Sequence, residues 1–210
     1  MKFEFIHDLD DYFCENYANY DKICILPGYR MPKMQATERR ADGREYAYTL
    51  PASTMRLATQ ENKAELLKKL KSQMADKSFS FSFEPVGFFG IFKRYSKTAV
   101  HKVLLYILKK YALTPEDAVK ELKIEEKTWK RICAGYYVPK KNLVFSLALT
   151  ARMSYEDTRI LLSHCGADFD YTLERDVVIS YLLKQKVFNQ EMVKSAFEEY
   201  NVSNLFINWL

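Results

Sequence analysis

The sequence predicts a mainly α protein with a small β component: an N-terminal α+β unit, a five-helix bundle, and two extra C-terminal helices. Three observations carry this. Apolar residues recur at helical spacing through most of residues 97–200. Residues 1–92 instead mix helical stretches with short alternating runs bounded by Gly and Pro. The two styles meet at an aromatic, glycine-bearing junction, which sets divisions at 1–92, 93–167 and 168–210. A chain of 210 residues is long enough for a real core, and 48% hydrophobic with 28% charged residues is an ordinary globular balance.

Taken in order, Ile6, Leu9, Phe13 and Tyr17 recur at helical spacing, so residues 7–19 read as an amphipathic helix. Asp8, Asp10, Asp11 and Glu15 on it fit either a metal-ligating cluster or a solvated face. His7 has no second histidine nearby, so no catalytic pair follows from spacing. KICIL (22–26), closed by Pro27-Gly28, reads as a strand and turn. Residues 31–50 read as a hairpin turning at Asp42-Gly43, with Tyr46, Tyr48 and Leu50 on one face. Its Arg39, Arg40 and Arg44 read either as a phosphate-binding patch or as a charged hairpin tip.

A helix is expected over residues 59–75, with Ala64, Leu66, Leu67, Leu70 and Met74 inward and Lys63, Lys68, Lys69 and Lys71 mainly outward. SFSFSFEP (78–85) alternates strictly and reads as a half-buried strand that completes a small sheet with the hairpin. VGFFGIFKRYS (86–96) is too apolar for a free linker and is expected to pack between the halves. From Lys97 to Tyr111 an amphipathic helix follows (Val100, Val103, Leu104, Ile107, Leu108), with His101 at its surface.

The densest set of signals runs from Leu113 to Leu147. Thr114 caps a helix with Pro115 in its first turn, where a missing N–H costs nothing. Ala118, Val119 and Leu122 form its apolar face, and it ends at Ile124. A second helix, Glu125 to Ala134, turns Trp129, Ile132 and Cys133 inward and Lys127, Lys130 and Arg131 outward. Gly135 stands where a left-handed residue is needed, and Pro139 blocks further helix. Leu143–Met153 and Tyr155–Cys165 give the fourth and fifth helices, the latter capped by Ser154 and stopped by Gly166. Glu174–Lys184 and Gln190–Tyr200 read as two further amphipathic helices. The apolar tail VSNLFINWL follows, and its Phe206 and Trp209 either dock on the protein's own surface or form a subunit contact.

Two short helices joined by a tight turn and followed by a packing helix are a helix-turn-helix plan. Leu113, Thr114, Glu116, Asp117, Ala118, Leu122, Ile124, Thr128, Arg131, Ile132, Gly135 and Pro139 stand in register with one family pattern. On these residues the segment from about Thr98 to Gly166 resembles the lambda-repressor-like (XRE-type) helix-turn-helix family. The resemblance implies a repressor-like five-helix bundle and a bacterial or phage-type transcriptional regulator. It implies contacts to duplex DNA through Lys127, Thr128, Lys130, Arg131, Lys140 and Lys141, and a homodimer, made here through the C-terminal helices, for a palindromic site. Two positions depart from the pattern. Pro115 stands where the family often has a phosphate-contacting Gln, and the second helix opens on Glu125 and Glu126, whose charge repels phosphate. The alternative is therefore a helix-turn-helix used to bind or inhibit another protein, without DNA. The run from the motif through the last helices also resembles a module that follows unrelated domains in bacterial proteins, which implies no function by itself but favours a shared interaction role over one dedicated operator reader.

Charge agrees with the motif's position. Residues 93–141 hold 13 Lys and Arg against 5 Asp and Glu, whereas residues 1–92 balance 13 against 13 and residues 142–210 hold 6 against 9. The surplus behind the net charge of +5 thus sits on the motif and the helix before it, as either a nucleic-acid footprint or a solvated lysine-rich face. Cys14, Cys24, Cys133 and Cys165 lie far apart, without zinc spacing. There is no phosphate-cradling glycine loop, HExxH or nucleophile elbow, so a non-enzymatic protein with no cofactor or metal is expected. With no bilayer-length apolar run and no secretory leader, the expected setting is the reducing cytoplasm, without membrane contact.

Overall fold

The computed structural model describes residues 2–19, 21–30, 35–49, 56–60, 62–75, 83–87, 96 and 99–210, with Lys2 and Phe3 described by backbone alone. Among these residues the chain is mainly α with a small β component. The first part contains α1 (Lys2–Asn16), α2 (Asp21–Cys24), β1 (Gln35–Arg39), β2 (Glu45–Thr49), a 3-10 turn (Leu57–Thr59), α3 (Lys63–Gln73) and β3 (Phe83–Pro85). The second contains α4 (Val100–Lys110), α5 (Pro115–Glu121), α6 (Glu126–Cys133), β4 (Tyr137–Pro139), α7 (Lys141–Thr150), α8 (Tyr155–His164), α9 (Glu174–Lys184) and α10 (Gln190–Glu199).

The core is organised on α7 and α9. Every residue from Asn142 to Leu149 and from Arg175 to Leu183 is buried. A helix buried on all sides has neighbours on all sides, and α9 packs on α1, α7, α8 and α10. This corrects the amphipathic reading of 174–184: the outward face expected for α9 is covered by α1. Between α1 and α9, the Tyr12 hydroxyl bonds Ser180 Oγ at 3.0 Å, and Lys184 Nζ donates to the Tyr12 oxygen at 2.9 Å.

The charged groups inside this core are paired, whereas the buried Asn142 Nδ2 and Thr150 Oγ1 have no hydrogen-bond partner among the described residues. Asp176, fully buried, accepts from Arg175 Nη2 at 3.0 Å, Lys141 Nζ at 2.5 Å and the Asp170 N–H at 2.8 Å. Arg175 also donates to Asn142 Oδ1. Lys71, expected outward, is buried. Its ammonium donates to Asp10 at 2.6 Å and Glu199 at 2.8 Å and lies 4.6 Å from the Tyr200 ring centroid. It faces inward because α1 and α10 bring carboxylates from distant sequence to it, which lysine spacing on α3 does not reveal. Leu66, Leu67, Leu70 and Met74 are buried as the spacing predicts, while Ala64 is exposed.

Residues 22–26 form not a strand but the end of α2 and a turn. Ile23 and Leu26 are buried together and Ile25 is 75% exposed. Helical geometry puts the residues three apart on one face, and it also carries Lys22 to Glu174. The hairpin forms as predicted, with Gln35 opposite Thr49 and Arg39 opposite Glu45. All of its residues but Ala36 are exposed. Arg40 lies 4.5 Å from the Tyr46 ring centroid, and Tyr46 donates to Asp42, so the charged tip is held by its own neighbours. Phe83–Pro85 does not join the hairpin. It pairs with Tyr137–Pro139, where Phe83 packs on the Tyr137 ring at 4.8 Å. Leu50, residues 78–82 of the expected strand and most of the 86–96 junction lie outside the described residues.

The tail after α10 docks on the chain itself. Ile207 is fully buried and bridges Leu122, the Phe206 carbonyl accepts from the Lys123 N–H at 2.9 Å, and the Asn208 N–H donates to Glu121 O at 2.8 Å. Phe206 and Trp209 pack against the core from partly buried positions, so the apolar tail that motivated a subunit contact is accommodated within one chain.

Removing the Asp176 charge leaves two cations uncompensated beside the core. Asp176→Asn is expected to cost about 3–5 kcal/mol in urea unfolding. Asp157 supplies a pH test. Burial opposes its ionisation, but hydrogen bonds from Lys110, Tyr111 and Ser154 outweigh that and hold its carboxyl below the usual range. A depressed folded-state pKa stabilises above the unfolded value and is lost as pH falls through the folded one. The stability gap between wild type and Asp157→Asn should therefore be full near neutrality and close below about pH 4.

Candidate nucleic-acid interface

The basic surface is built on α4 to α8. Thr114 Oγ1 accepts from the Asp117 N–H at 3.0 Å and donates to the Asp117 carboxylate at 2.7 Å, which satisfies the start of α5, with Pro115 in its first turn. α5 ends at Glu121, short of the expected Ile124, because Leu122 turns extended and bridges Ile207 of the tail, and Leu122, Lys123 and Ile124 make the turn into α6. Trp129 and Ile132 anchor α6 from below at 1% and 0% exposure, and α6 packs on α4, α5 and β4.

The end of α6 depends on one glycine. Gly135 has φ +80°, its N–H donates to Ile132 O and the Tyr136 N–H donates to Arg131 O, both at 2.9 Å. This is the Schellman arrangement, which needs a left-handed residue. A Cβ at Gly135 would also stand 2.6 Å from His101 Nδ1. His101, expected at the surface, is half-buried because its ring packs on this turn.

On the outer face of α6, Lys127, Lys130 and Arg131 are exposed and line a shallow depression of about 450 Å³ with Glu126 and Ala134. The structure brings these three expected residues together. Lys130 Nζ lies 2.5 Å from Glu126 Oε1, and that contact holds the Glu126 carboxyl below its usual range. Arg131 Nη1 donates to the Tyr137 hydroxyl at 3.0 Å, leaving other guanidinium donors facing out. Thr128 is half-buried, with its hydroxyl 3.4 Å from Glu125 Oε2.

The remaining two expected residues are drawn elsewhere. Lys140 pairs with Glu84 of β3, and Lys141 is committed to buried Asp176, with 18% of its side chain exposed. Spacing could not disclose either partner. The one sequence signal was the Arg175-Asp176 pair opening an otherwise apolar run, since charges buried in a helix require partners.

The buried thiols of the chain are quiet. Burial pushes the Cys14 and Cys133 thiols up to about 11 and the Cys165 thiol to about 12, so none of these is a thiolate near neutral pH. Among the described residues no three His, Cys, Asp or Glu side chains gather as metal ligands. No described helix is long and apolar enough to cross a membrane.

Gly135→Ala meets both a backbone cost of about 1–2 kcal/mol and the imidazole ring. It is expected to lower the urea midpoint, and His101→Ala in the same chain should recover the steric part of the loss but not the backbone part.

Comparison of the chain with protein-family models, with curated proteins and with solved structures finds no match.

Proposed function

We propose that residues 100–164 act as a repressor-like helix-turn-helix unit that binds duplex DNA through the outer face of α6, within a non-catalytic regulator. The observation that carries this reading is the open side of α6, where Lys127, Lys130 and Arg131 stand exposed together and uncovered by α9, α10 or the tail. Lysines and arginines that displace counterions from phosphate supply the sequence-independent part of DNA affinity. The Glu126–Lys130 pair is exposed on both sides, and such pairs are worth little in water, so phosphate competes for Lys130 at small cost. Lys140 and Lys141 contribute less than the family pattern implies, because each already has a carboxylate.

A second reading is favoured by Glu125. It is exposed at the start of α6, where a recognition helix meets bases, and its carboxylate lies against the Thr128 hydroxyl rather than a cation. Tyr136, just past the other end of α6, is 53% exposed, and exposed aromatics suit protein interfaces. In this reading the same face binds a protein partner.

Fluorescence polarisation on random-sequence duplex across a salt series separates the two. DNA binding predicts a Kd of about 1–100 μM near physiological salt, weakening steeply as salt rises, and loss in Lys130→Glu/Arg131→Glu. Absence of binding at low salt rules out the DNA reading and leaves the protein-binding one.

A further inference from the structure

The hairpin of β1 and β2 carries two aromatic rings into water. Tyr46 and Tyr48 are 38% and 47% exposed. Among the described residues the sheet stops at two strands, which leaves the outer edge of β2 open. A two-stranded ribbon is by itself marginally stable in water, and an open edge is a template for another strand. β2 (EYAYT) holds neither the Lys nor the Pro that commonly guards such an edge.

The turn tells which backbone groups face outward. The Arg40 N–H donates to Arg44 O at 3.1 Å, so these two residues turn their backbone groups toward each other. That orientation alternates along an antiparallel ladder. With Arg39 opposite Glu45 and Gln35 opposite Thr49, the N–H and C=O groups of Glu45, Ala47 and Thr49 therefore point away from β1. An added strand must bond to these three. When it is β2 of a second copy, running antiparallel, a single register pairs the whole strand: Ala47 meets its own equivalent, Glu45 meets Thr49, and Tyr46 meets Tyr48 on both sides of the axis. The tyrosines then occupy the non-hydrogen-bonded positions, where facing side chains lie closest and aromatic pairs stabilise a sheet. No like charges oppose each other. The edge of β1 offers less, since the same construction about Thr37 sets Glu38 against Ala36 and Arg39 against Gln35. Arg39, Arg40 and Arg44 balance Glu38, Asp42 and Glu45, so two hairpins approach without net repulsion.

We infer that the outer edge of β2 pairs with β2 of a second copy of this chain, joining two hairpins in a four-stranded antiparallel sheet about a two-fold axis at Ala47. A contact of this self-complementary kind closes as a dimer. For the DNA-binding reading it supplies the two-fold pair that a palindromic site needs. The dimer itself does not rest on that reading.

Sedimentation equilibrium on the intact chain tests this. A five-residue edge is a small interface, so a concentration-dependent dimer with a Kd of about 10–500 μM is expected. Thr49 faces uncharged Gln35 in its own hairpin and Glu45 of the second copy across the new seam. Thr49→Lys should therefore tighten the dimer and Thr49→Glu loosen it, each about fivefold, because the axis repeats the pair twice. Ala47→Pro removes an outward N–H without removing a bond between β1 and β2, and it should abolish the dimer. Circular dichroism checks that each variant folds, and the two Thr49 variants carry the test by themselves if Ala47→Pro does not fold. A wild type that stays monomeric up to about 1 mM overturns the inference. So does a dimer that folded Ala47→Pro leaves intact, or one on which Thr49→Lys and Thr49→Glu act alike. Duplex binding is read separately: a dimer without DNA binding removes only the regulator reading, and DNA binding by a monomer removes only the dimer.

Discussion

A buried carboxylate sets the geometry on which the rest depends. Asp176 lies fully buried at the start of α9 and gathers Lys141, Arg175 and the Asp170 N–H around it. An isolated charge in that position would cost several kcal/mol or more, so it persists only with these partners in place. Because Lys141 is the first residue of α7, the pair fixes where α7 begins relative to α9. The two helices then form a buried spine, with α5 and α8 laid against α7 and with α1 and α10 against α9.

From that spine the position of the basic face follows. The segment before α7 is held by the β3–β4 pairing and the Lys140–Glu84 contact, and α6 is anchored from beneath by Trp129 and Ile132. On the far side the tail clamps the α5–α6 turn through backbone hydrogen bonds and the buried Ile207. Strand pairing and burial resist salt, whereas the exposed pairs on α6 are screened by it. A rigid scaffold thus presents a loosely paired charged surface, an arrangement suited to an electrostatic partner whose approach replaces weak internal pairs.

Much of the helical half was legible because its signals are local. Thr114 and Ser154 cap α5 and α8 as their types suggest, with side-chain oxygens accepting from Asp117 and Asp157 N–H groups. Gly135 takes the left-handed conformation its place after an apolar stripe implies. Lys127, Lys130 and Arg131 face out because Trp129 and Ile132 face in, which three-residue spacing already dictates. The errors cluster where partners are distant in sequence. Lys71 looked like one of several solvated lysines until Asp10 and Glu199 were brought to it, and the period-two run ending at Phe83 had no means of naming its partner strand.

The sequence by itself determined the mainly α class, the caps and glycine stop of the motif helices, the hairpin and the outward lysines of α6, because caps, glycine conformation and apolar periodicity act within a few residues. Only the tertiary structure decided that α9 is buried on every side, that Lys141 serves Asp176 instead of the open surface, and that the tail closes on the α5–α6 turn. Burial and charge pairing are properties of what surrounds a residue. For Lys141, 35 positions from Asp176, and for Leu122, 85 from Ile207, those surroundings exist only once the chain has folded.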